Sequence, residues 1–587
     1  PAPGPDASAP ASPDAVARQT PGDPPRAVPL IARPGVIDLD ESLTAQRPGE
    51  VQVRGTPRST LARGMTTLDQ DDLRVPAPQS LADALRYQGG VAVQQTSPGQ
   101  STIYLRGLSG REVLHLVDGV RVNATLFRAG NNPYLALIDP YSLARLELVR
   151  GPSSVLHGSD ALGGAVIGTT RLPAYADRGH TLAAIHQTFG SNPFGTATRA
   201  DLEHQERTWA VHLGLTHYGA GDIRTGGGER SPIPSSWSGL ERPVGGAYAP
   251  VTSRYERGTA FDQYAADAAL RLRLAHDLDL VLRTSTAYRP ELGRYDEITP
   301  RFKRDYPASA DSALRPLTRW TASATLSDRR TELPYDELLV TLSWQRLDER
   351  LRRRGWDESC VDDVDPCTTR LRLTPSSRLR RETNISDAFG LRTESRWSWA
   401  RRRLAARLGA EVHHDRVQSA SSSVRTNATG DAITPDPSRY PDGSSQTQAG
   451  LFGQLDLDLT PRLHVHAGAR AALFALAIRE RVGDDPSPAF SSTLLDGTFS
   501  AGLRWEFAPH VALVATAGRA VRAPNVQDFA SLGPRAGDRF QLPNGSIRPE
   551  HSLGADVGLR ARLHRFRADL TAFALRYQDA IVLAPAT

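Results

Sequence analysis

The chain has 587 residues, 39% of them hydrophobic, and 70 basic against 65 acidic residues give it a formal net charge of +5. No stretch approaches the ~18 consecutive apolar residues of a membrane-spanning helix, which excludes helical membrane proteins and leaves soluble proteins and transmembrane β-barrels. No basic run alternates with aromatic residues, so we expect no nucleic-acid partner.

The N-terminal 49 residues are dominated by Pro, Ala, Asp and Gly. Because so few large apolar groups cannot offset the entropy of ordering, this composition predicts a flexible tail. GEVQVRGT follows it, an isolated extended run that is suited to strand addition on another protein. The chain starts with Pro and its only methionine is Met65, so we expect the start of the gene product, with a secretory signal, to be missing.

Residues 50–173 predict a compact α/β unit. SLADALRYQGG predicts a short helix that is capped by Ser80 and ends at Gly89-Gly90. Asp118-Gly119 lies between two apolar runs and predicts a hairpin turn. Asp139-Pro140 predicts the start of a second short helix, and RLELV predicts a further strand after it.

From residue 174 onward the pattern changes to long strands. YDELLVTLSWQRLDERL, from Tyr335, alternates apolar and polar residues over more positions than most globular strands contain. The same alternation recurs at 258–274, 278–288, 380–397, 403–416, 444–459, 462–474, 491–507, 511–520, 552–562 and 566–578.

Tight turns and long loops alternate between these strands. LTPR and FAPH are tight, whereas 219–257, 289–315, 352–379 and 418–443 predict long loops. This alternation favours a transmembrane β-barrel over a soluble sandwich. Aromatic residues near the predicted strand ends suggest an interfacial girdle, namely Trp209, Tyr218, Trp344, Trp397, Trp399 and Trp505.

The only two cysteines, Cys360 and Cys367, lie seven residues apart in a polar segment, which predicts one local disulfide in an oxidising compartment. A metal site formed by the two sulfurs and nearby aspartates is the alternative. Calcium binding by Asp362, Asp363 and Asp365 is a further alternative to a solvated acidic loop.

Several motifs together resemble one family. They are EVQVRGT, IYLRG, LVDGVRVN and RLELVRGPSSVLHGSDALGGAV in the first part, and GRAVRAPNVQDF and LPNGSIRPEHSLGADVGLR far downstream. In order and spacing they are similar to the TonB-dependent outer-membrane receptors. The resemblance implies a mainly β fold: a large antiparallel transmembrane barrel of the 22-stranded type, residues 174–587, with residues 50–173 as an α/β plug in its lumen.

The resemblance also implies roles for particular residues. An energy-coupling box that binds a TonB-type periplasmic protein would comprise Glu50, Val51, Gln52, Val53, Arg54 and Gly55. Buried charges between plug and wall, the plug-lock residues, would be Arg106, Glu147 and Arg150. The outward-facing plug apex would contact the ligand through Phe127, Arg128, Asn131, Asn132 and Tyr134.

Two features depart from the family pattern. His157 stands where an aromatic Tyr is common, as a packing substitution or as a ligand for haem iron. We also count only about 15 strand-like segments, so we expect the C-terminal strands to be missing, which would leave two unpaired edges facing lipid.

The function implied is active import of a scarce nutrient across the outer membrane of a Gram-negative bacterium. A ferric siderophore is the first choice; haem and cobalamin are the alternatives, and 525–549 contains no axial histidine for haem. We find no phosphate-binding loop, zinc-protease motif or nucleophile elbow, and therefore expect no enzyme activity, cofactor or resident metal. A non-transporting barrel, an adhesin or passive pore, is the competing class, and a soluble secreted β protein is a third.

Overall fold

The computed structural model describes residues 65–226, 238–246, 254–256, 258–294, 311–361, 366–399, 403–427, 430–481, 487–535, 539–563 and 566–582. The N-terminal tail and the predicted coupling box therefore lie outside the described residues. So do Asp362, Asp363 and Asp365 of the acidic loop.

The first described unit, residues 65–170, is a small α/β plug. Its helices are α1 (Gln70–Arg74), α2 (Leu81–Leu85) and α3 (Ser154–His157), with 3-10 turns at Gly110–Glu112, Leu135–Leu137 and Pro140–Ser142. Its strands are β1 (Met65–Asp69), β2 (Val91–Ser97), β3 (Gln100–Leu105), β4 (Leu108–Ser109), β5 (Val113–Val117), β6 (Val120–Arg121), β7 (Leu143–Arg150) and β8 (Gly164–Thr170).

Two sheets form the plug. The larger has the strand order β1-β7-β8-β5-β6, and the smaller is β2-β3-β4. Among the described strands β1 pairs only with β7, so it is an edge strand of this sheet. The aliphatic side chains between these sheets and the short helices, such as Leu85, Ile103 and Leu143, are fully buried and form the plug core.

Local sequence signals account for the plug's turns. The Ser80 side chain accepts a hydrogen bond from the Asp83 amide at the start of α2, as predicted. Asp118 and Gly119 both have positive φ between β5 and β6, the conformation that a two-residue hairpin turn needs. The helix predicted at Asp139-Pro140 is a single 3-10 turn, Pro140–Ser142, whose first amide is capped by Asp139.

The second unit is a barrel of antiparallel strands. They are β9 (His180–Ser191), β10 (Phe194–Gln205), β11 (Trp209–Ala220), β13 (Glu241–Pro243), β15 (Phe261–Ala275), β16 (Leu278–Arg289), β17 (Leu292–Gly293), β18 (Asp311–Asp328), β19 (Glu337–Cys360), β20 (Arg370–Trp399), β21 (Leu404–Asn427), β22 (Gly430–Asp436), β23 (Ser445–Thr460), β24 (Leu463–Ile478), β25 (Phe490–Ala508), β26 (Val511–Arg522), β29 (Glu550–Leu563) and β30 (Phe566–Gln578). Two separate two-stranded sheets lie in the connections: β12 (Ile223–Arg224) with β14 (Tyr255–Glu256), and β27 (Gly533–Arg535) with β28 (Arg539–Gln541). Helix α4 (Val526–Ala530) follows β26.

Antiparallel registers join the long strands in chain order from β9 to β30. The strand order is that of a closed barrel in which β30 stands beside β9, so the two open edges that we expected are brought together. In the described residues this seam is the one join of long strands without a residue-by-residue register, and residues 180–185 of β9 and 569–574 of β30 are exposed on both faces. That further strands are missing stays a prediction.

The two ends of the barrel differ. The connections 206–208, 276–277, 461–462 and 509–510 are tight turns, and we call their side the short-turn end. The connections after β11, β16 and β26 are long, and their side is the long-loop end. The connection 171–179 leads from the plug into β9 at the short-turn end and contains the domain boundary that we predicted between 173 and 174.

Two predictions about the barrel were wrong. Residues 352–379 and 418–443 were predicted as long loops. In the structure β19 instead extends to Cys360, β20 begins at Arg370 and β21 extends to Asn427. The ends of β19 and β21 are mostly polar, and the alternation at the start of β20 stops at Pro375, so these segments lack the sustained alternation that identifies a strand. Tyr218 was placed in the girdle, but it points into the lumen and is 2% exposed.

No helix in the described part of the chain is long and apolar enough to cross a membrane.

Candidate functional site: the plug interface and the vestibule above it

The plug occupies the bore of the barrel. Its Arg106 pairs with Asp556 on β29 at 2.6 Å, and its Arg128 pairs with Glu349 on β19 at 2.8 Å. Its Asp139 accepts hydrogen bonds from Thr216 and Tyr218 on β11 at 2.6 and 2.8 Å. Because β11, β19 and β29 are well separated in the strand order, the plug touches the wall around the whole circumference.

The three predicted plug-lock residues have different positions. Arg106 forms the ion pair with the wall and also lies over the Phe573 ring of β30, 4.7 Å from its centroid. Glu147 instead bonds Arg145 on its own strand. Arg150 donates to the Gly89 carbonyl and, at 2.8 Å, to the Thr66 hydroxyl, both within the plug.

The prediction that Glu147 pairs with the wall is therefore corrected, because its described partner Arg145 lies on the same plug strand, β7. Arg150 also belongs to β7, but in addition to its plug contacts it interacts electrostatically with Asp569 of the wall strand β30. Arg150 fastens the edge strand β1 to the rest of the plug through Thr66.

The predicted ligand contacts at the apex are largely buried. Phe127, Arg128, Asn132 and Tyr134 are all 6% exposed or less, and only Asn131 is partly accessible. Arg128 forms a bidentate pair with Glu349, and the Tyr134 hydroxyl donates to the same carboxylate at 3.1 Å. These side chains hold the apex against the wall, which corrects the prediction that they face a ligand.

Burial shifts the pKa of several plug groups. Desolvation lowers the pKa of His115 to about 4, and its hydrogen bond to Asn123 opposes that shift only in part. The imidazole lies flat against the Phe127 ring, 5.7 Å between centroids, and is neutral at physiological pH. Burial also raises the pKa of Tyr134, so its hydroxyl remains a donor to Glu349.

Sequence reasoning missed a buried charge cluster that connects the two downstream motifs to the plug. Asp528 of α4 accepts hydrogen bonds from Arg111 of the plug and Arg522 of β26. Arg522 also bonds Glu550, the first residue of β29. Arg522 and Asp528 lie in GRAVRAPNVQDF and Glu550 in LPNGSIRPEH, so a search for opposite charges between the motifs was the available signal.

A second missed cluster supports α3. Glu411 of β21 accepts hydrogen bonds from Arg470 and Arg392, and Arg392 donates to the Leu156 carbonyl of α3 at 3.0 Å. Gly158 ends α3 with φ +81°, and a Cβ there would lie 2.9 Å from the Glu411 carboxylate. The glycine is needed for both its conformation and this close approach. His157 supplies a carbonyl oxygen to Arg121 at this place.

Helix α4 covers the apex from the long-loop end. The side-chain oxygen of Asn525 caps α4 by accepting a hydrogen bond from the Asp528 amide, and its side-chain nitrogen donates to the Phe127 carbonyl at 3.1 Å. The α4 amides of Val526 and Gln527 donate to Thr125 of the plug. The connection after β26 is therefore folded into the barrel rather than away from it.

Above the apex, lumen-facing arginines form what we call the arginine wall: Arg353, Arg378, Arg380 and Arg425. Arg353 and Arg380 are direct cross-strand partners, as are Arg378 and Arg425. They share a face with Glu349, which contacts the plug. Such juxtaposed like charges are unfavourable unless anions lie between them.

Among the residues that the structure describes, the acidic groups at the wall are fewer and already paired. Glu382 bonds Arg439 at 2.8 Å, and Asp436 accepts a hydrogen bond from Arg378 at 3.1 Å. Arg380 donates to the Pro437 carbonyl, while its buried Nε has no partner. The wall therefore keeps an excess of positive charge toward the lumen.

Cys360 and Cys367 are joined by a disulfide, as predicted. It bridges the end of β19 and the segment before β20, beside the wall. Among the described residues no group of three or more His, Cys, Asp or Glu side chains is arranged to hold a metal ion.

Family models match both parts of this architecture. The TonB-dependent receptor plug domain matches residues 57–165, and the TonB-dependent receptor-like β-barrel matches residues 208–587. The chain belongs to the TonB-dependent receptors. Members of this family are outer-membrane proteins of Gram-negative bacteria, and they are transporters rather than enzymes.

Solved TonB-dependent receptors share the fold. The copper transporter OprC is 15% identical with a TM-score of 0.65, over 88% of this chain and 72% of that chain. The hemophore receptor HasR of Serratia marcescens, solved with its hemophore HasA and heme, is 15% identical with a TM-score of 0.63, over 88% and 73%. The ferric yersiniabactin receptor FyuA of Yersinia pestis is 15% identical with a TM-score of 0.58, over 89% and 74%.

Proposed function

We propose that this TonB-dependent receptor imports an anionic ferric siderophore. The observation that carries the choice of an anionic ligand is the arginine wall, which lies in the lumen above the apex. Guanidinium groups suit carboxylate and catecholate oxygens because they donate paired hydrogen bonds and keep their charge. This ligand site replaces the buried apex residues that the sequence indicated.

The plug supports an active mechanism rather than a passive pore. It contacts the wall on β11, β19 and β29, and α4 covers its apex, so a solute above it has no open route. Passage requires part of the plug to move. The outer membrane offers no nucleotide for this work, so the energy has to come from a periplasmic partner.

Strand β1 is where a pull would act first. Its first described residue is Met65, shortly after the predicted coupling box Glu50–Gly55, and among the described strands it pairs only with β7. A periplasmic partner that adds a strand to the box would load the β1–β7 ladder. The bond from Arg150 to Thr66 ties β1 to the plug and would be among the first contacts to break.

Uptake by cells that carry the full-length receptor tests the active mechanism. Deletion of residues 50–55 should abolish uptake of a ferric tris-catecholate, with no change in its binding to the purified receptor. An adhesin or passive pore would be unaffected by the deletion. Undiminished uptake would therefore refute active transport.

Binding to the purified receptor tests the ligand class separately. The double variant Arg353→Gln/Arg380→Gln should weaken binding of a trianionic ferric tris-catecholate at least tenfold and that of a neutral ferric tris-hydroxamate by less than threefold. Arg207→Gln/Arg403→Gln, two exposed arginines at the short-turn end, is the charge-matched control. Equal effects on both chelates would reject the anionic class while leaving the transport mechanism intact.

A further inference from the structure

The outer surface of β19, β20 and β21 carries a second group of arginines, distinct from the arginine wall. Its members, which we call the outer patch, are Arg346, Arg350, Arg352, Arg354, Arg381 and Arg416. Side chains alternate between the two faces of a strand. Glu349 bonds Arg128 of the plug and Asp415 bonds Thr125 of the plug, so both face the lumen. Their neighbours Arg350 and Arg416 therefore face away from the lumen. The registers between these strands are regular over this region.

The outer patch begins where the apolar surface ends. On the same outward face, Trp344 and Phe389 are cross-strand neighbours, with Leu342 and Leu391 below them. Trp397 and Trp399 lie on that face at the short-turn end. The ten residue steps from Phe389 to Trp399 span about 25 Å of height at ~3.3 Å per residue and ~40° tilt, which matches the apolar band of a barrel.

Charge on the outer patch is unbalanced. The acids described beside it are already bonded to arginines: Asp387 to Arg346, Asp348 to Arg350, and Asp311, the cross-strand partner of Arg354, to Arg315. The guanidinium groups of Arg352, Arg381 and Arg416 are exposed and have no hydrogen-bond or ion-pair partner among the described residues. Arg352 and Arg381 are direct cross-strand partners, and like charges in that position destabilise a sheet unless an anion bridges them.

The height of the outer patch indicates the kind of anion. Alternate residues of β20 face outward. Counted from Phe389 toward the long-loop end, Asp387 is the first such position, and Arg416 is its cross-strand partner. Arg381 is the fourth such position from Phe389. These steps correspond to about 5 and 20 Å above the band. A phospholipid headgroup layer is only about 5–8 Å deep, so it reaches the level of Arg416 but not that of Arg381. The full patch requires a headgroup with phosphates distributed over an extended saccharide.

We propose that the outer patch binds the phosphorylated saccharide of an outer-leaflet glycolipid. Arg352 and Arg381 would hold one phosphate between them, and Arg416 would hold another nearer the band. Bidentate hydrogen bonds to phosphate are the strongest contacts that guanidinium groups make, and they remove the repulsion between the paired arginines.

The test uses the purified full chain in neutral detergent and fluorescent, phosphorylated lipopolysaccharide. Arg352→Gln/Arg381→Gln/Arg416→Gln should bind it at least tenfold more weakly than the wild type. The control, Arg207→Gln/Arg403→Gln/Arg462→Gln, removes three exposed arginines from the short-turn end and should stay within twofold of the wild type. Equal binding by the wild type and the outer-patch variant would overturn the proposal.

Further arms identify the ligand and guard against misfolding. The wild type should bind dephosphorylated lipopolysaccharide at least tenfold more weakly, and binding of the phosphorylated form should weaken as salt is raised. Equal binding of the dephosphorylated form, equally tight binding of phosphatidylglycerol, or displacement by millimolar inorganic phosphate would each overturn it. If the triple variant fails to fold, the wild-type arms and Arg352→Gln alone decide the question.

Discussion

At the scale of single residues, burial of His115 makes the plug sensitive to acid. The folded-state pKa is about 4, whereas a histidine in the unfolded chain titrates near 6.5. Below pH 6.5 the unfolded state takes up a proton that the folded state does not, so stability falls as pH falls from about 6.5 to 4. The loss amounts to about 3 kcal/mol at 1.36 kcal/mol per pKa unit.

His115→Phe should remove this loss because the ring still packs on Phe127 but cannot titrate. Urea midpoints for plug unfolding, followed by proteolysis at pH 7 and pH 4.5, measure the difference. His276→Gln, in an exposed turn, is the control and should keep the wild-type dependence. An unchanged pH dependence in His115→Phe would show that the acid sensitivity comes from other groups.

Residue pairings were the part of the site that the sequence could not supply. Arg128 was assigned to a ligand because the family resemblance places its segment at the outward-facing plug apex, but its partner Glu349 is 221 positions away. Arg106 was placed correctly at the wall, although nothing in the sequence pointed to Asp556. Pairing across such distances depends on strand register, which is absent from local patterns.

At the scale of elements, the short helix α4 determines access to the plug apex. Asn525 both caps the helix and bonds the Phe127 carbonyl of the plug. Loss of a cap costs about 1 kcal/mol. Asn525→Ala should therefore speed hydrogen exchange of the Val526–Ala530 amides about fivefold or more, as α4 detaches from the apex more often.

Mass-spectrometric exchange on the detergent-solubilised receptor measures this effect. Asn544→Ala is the matched control because Asn544 lies in the same connection, is exposed and bonds Ser546 rather than the plug. Equal exchange in both variants would mean that contacts of the helix other than its cap hold α4 in place.

Several barrel strands were predicted well from the alternation of apolar and polar residues. The predicted runs 278–288, 511–520 and 566–578 agree with β16, β26 and β30 to within two residues. Strands β9, β10, β11 and β18 were missed; β10 and β11 alternate buried and accessible residues, so their pattern was present in the sequence and was overlooked. The loop predictions at 352–379 and 418–443 failed because the ends of β19 and β21 are mostly polar and the alternation at the start of β20 stops at Pro375.

At the scale of the whole molecule, the plug and the barrel differ in how they are held together. Barrel strands are bonded along ladders of up to 23 registered pairs, as between β19 and β20. The plug has helices of five residues or fewer and is held in place by separate polar contacts. Urea should therefore unfold the plug while the barrel persists.

In a planar bilayer, this difference predicts that the wild type is closed to ions in buffer and conducts reversibly at intermediate urea. Glu349→Gln should lower the urea midpoint of plug unfolding, because it leaves Arg128 buried without a counter-charge. Removing one partner of a buried ion pair typically costs about 3–5 kcal/mol, and we expect a loss in that range here. Arg207→Gln, far from the plug, should leave the midpoint unchanged. If conductance appears only when the barrel signal in circular dichroism is lost, plug and barrel unfold together, and the wall contacts hold the plug as firmly as the ladders hold the barrel.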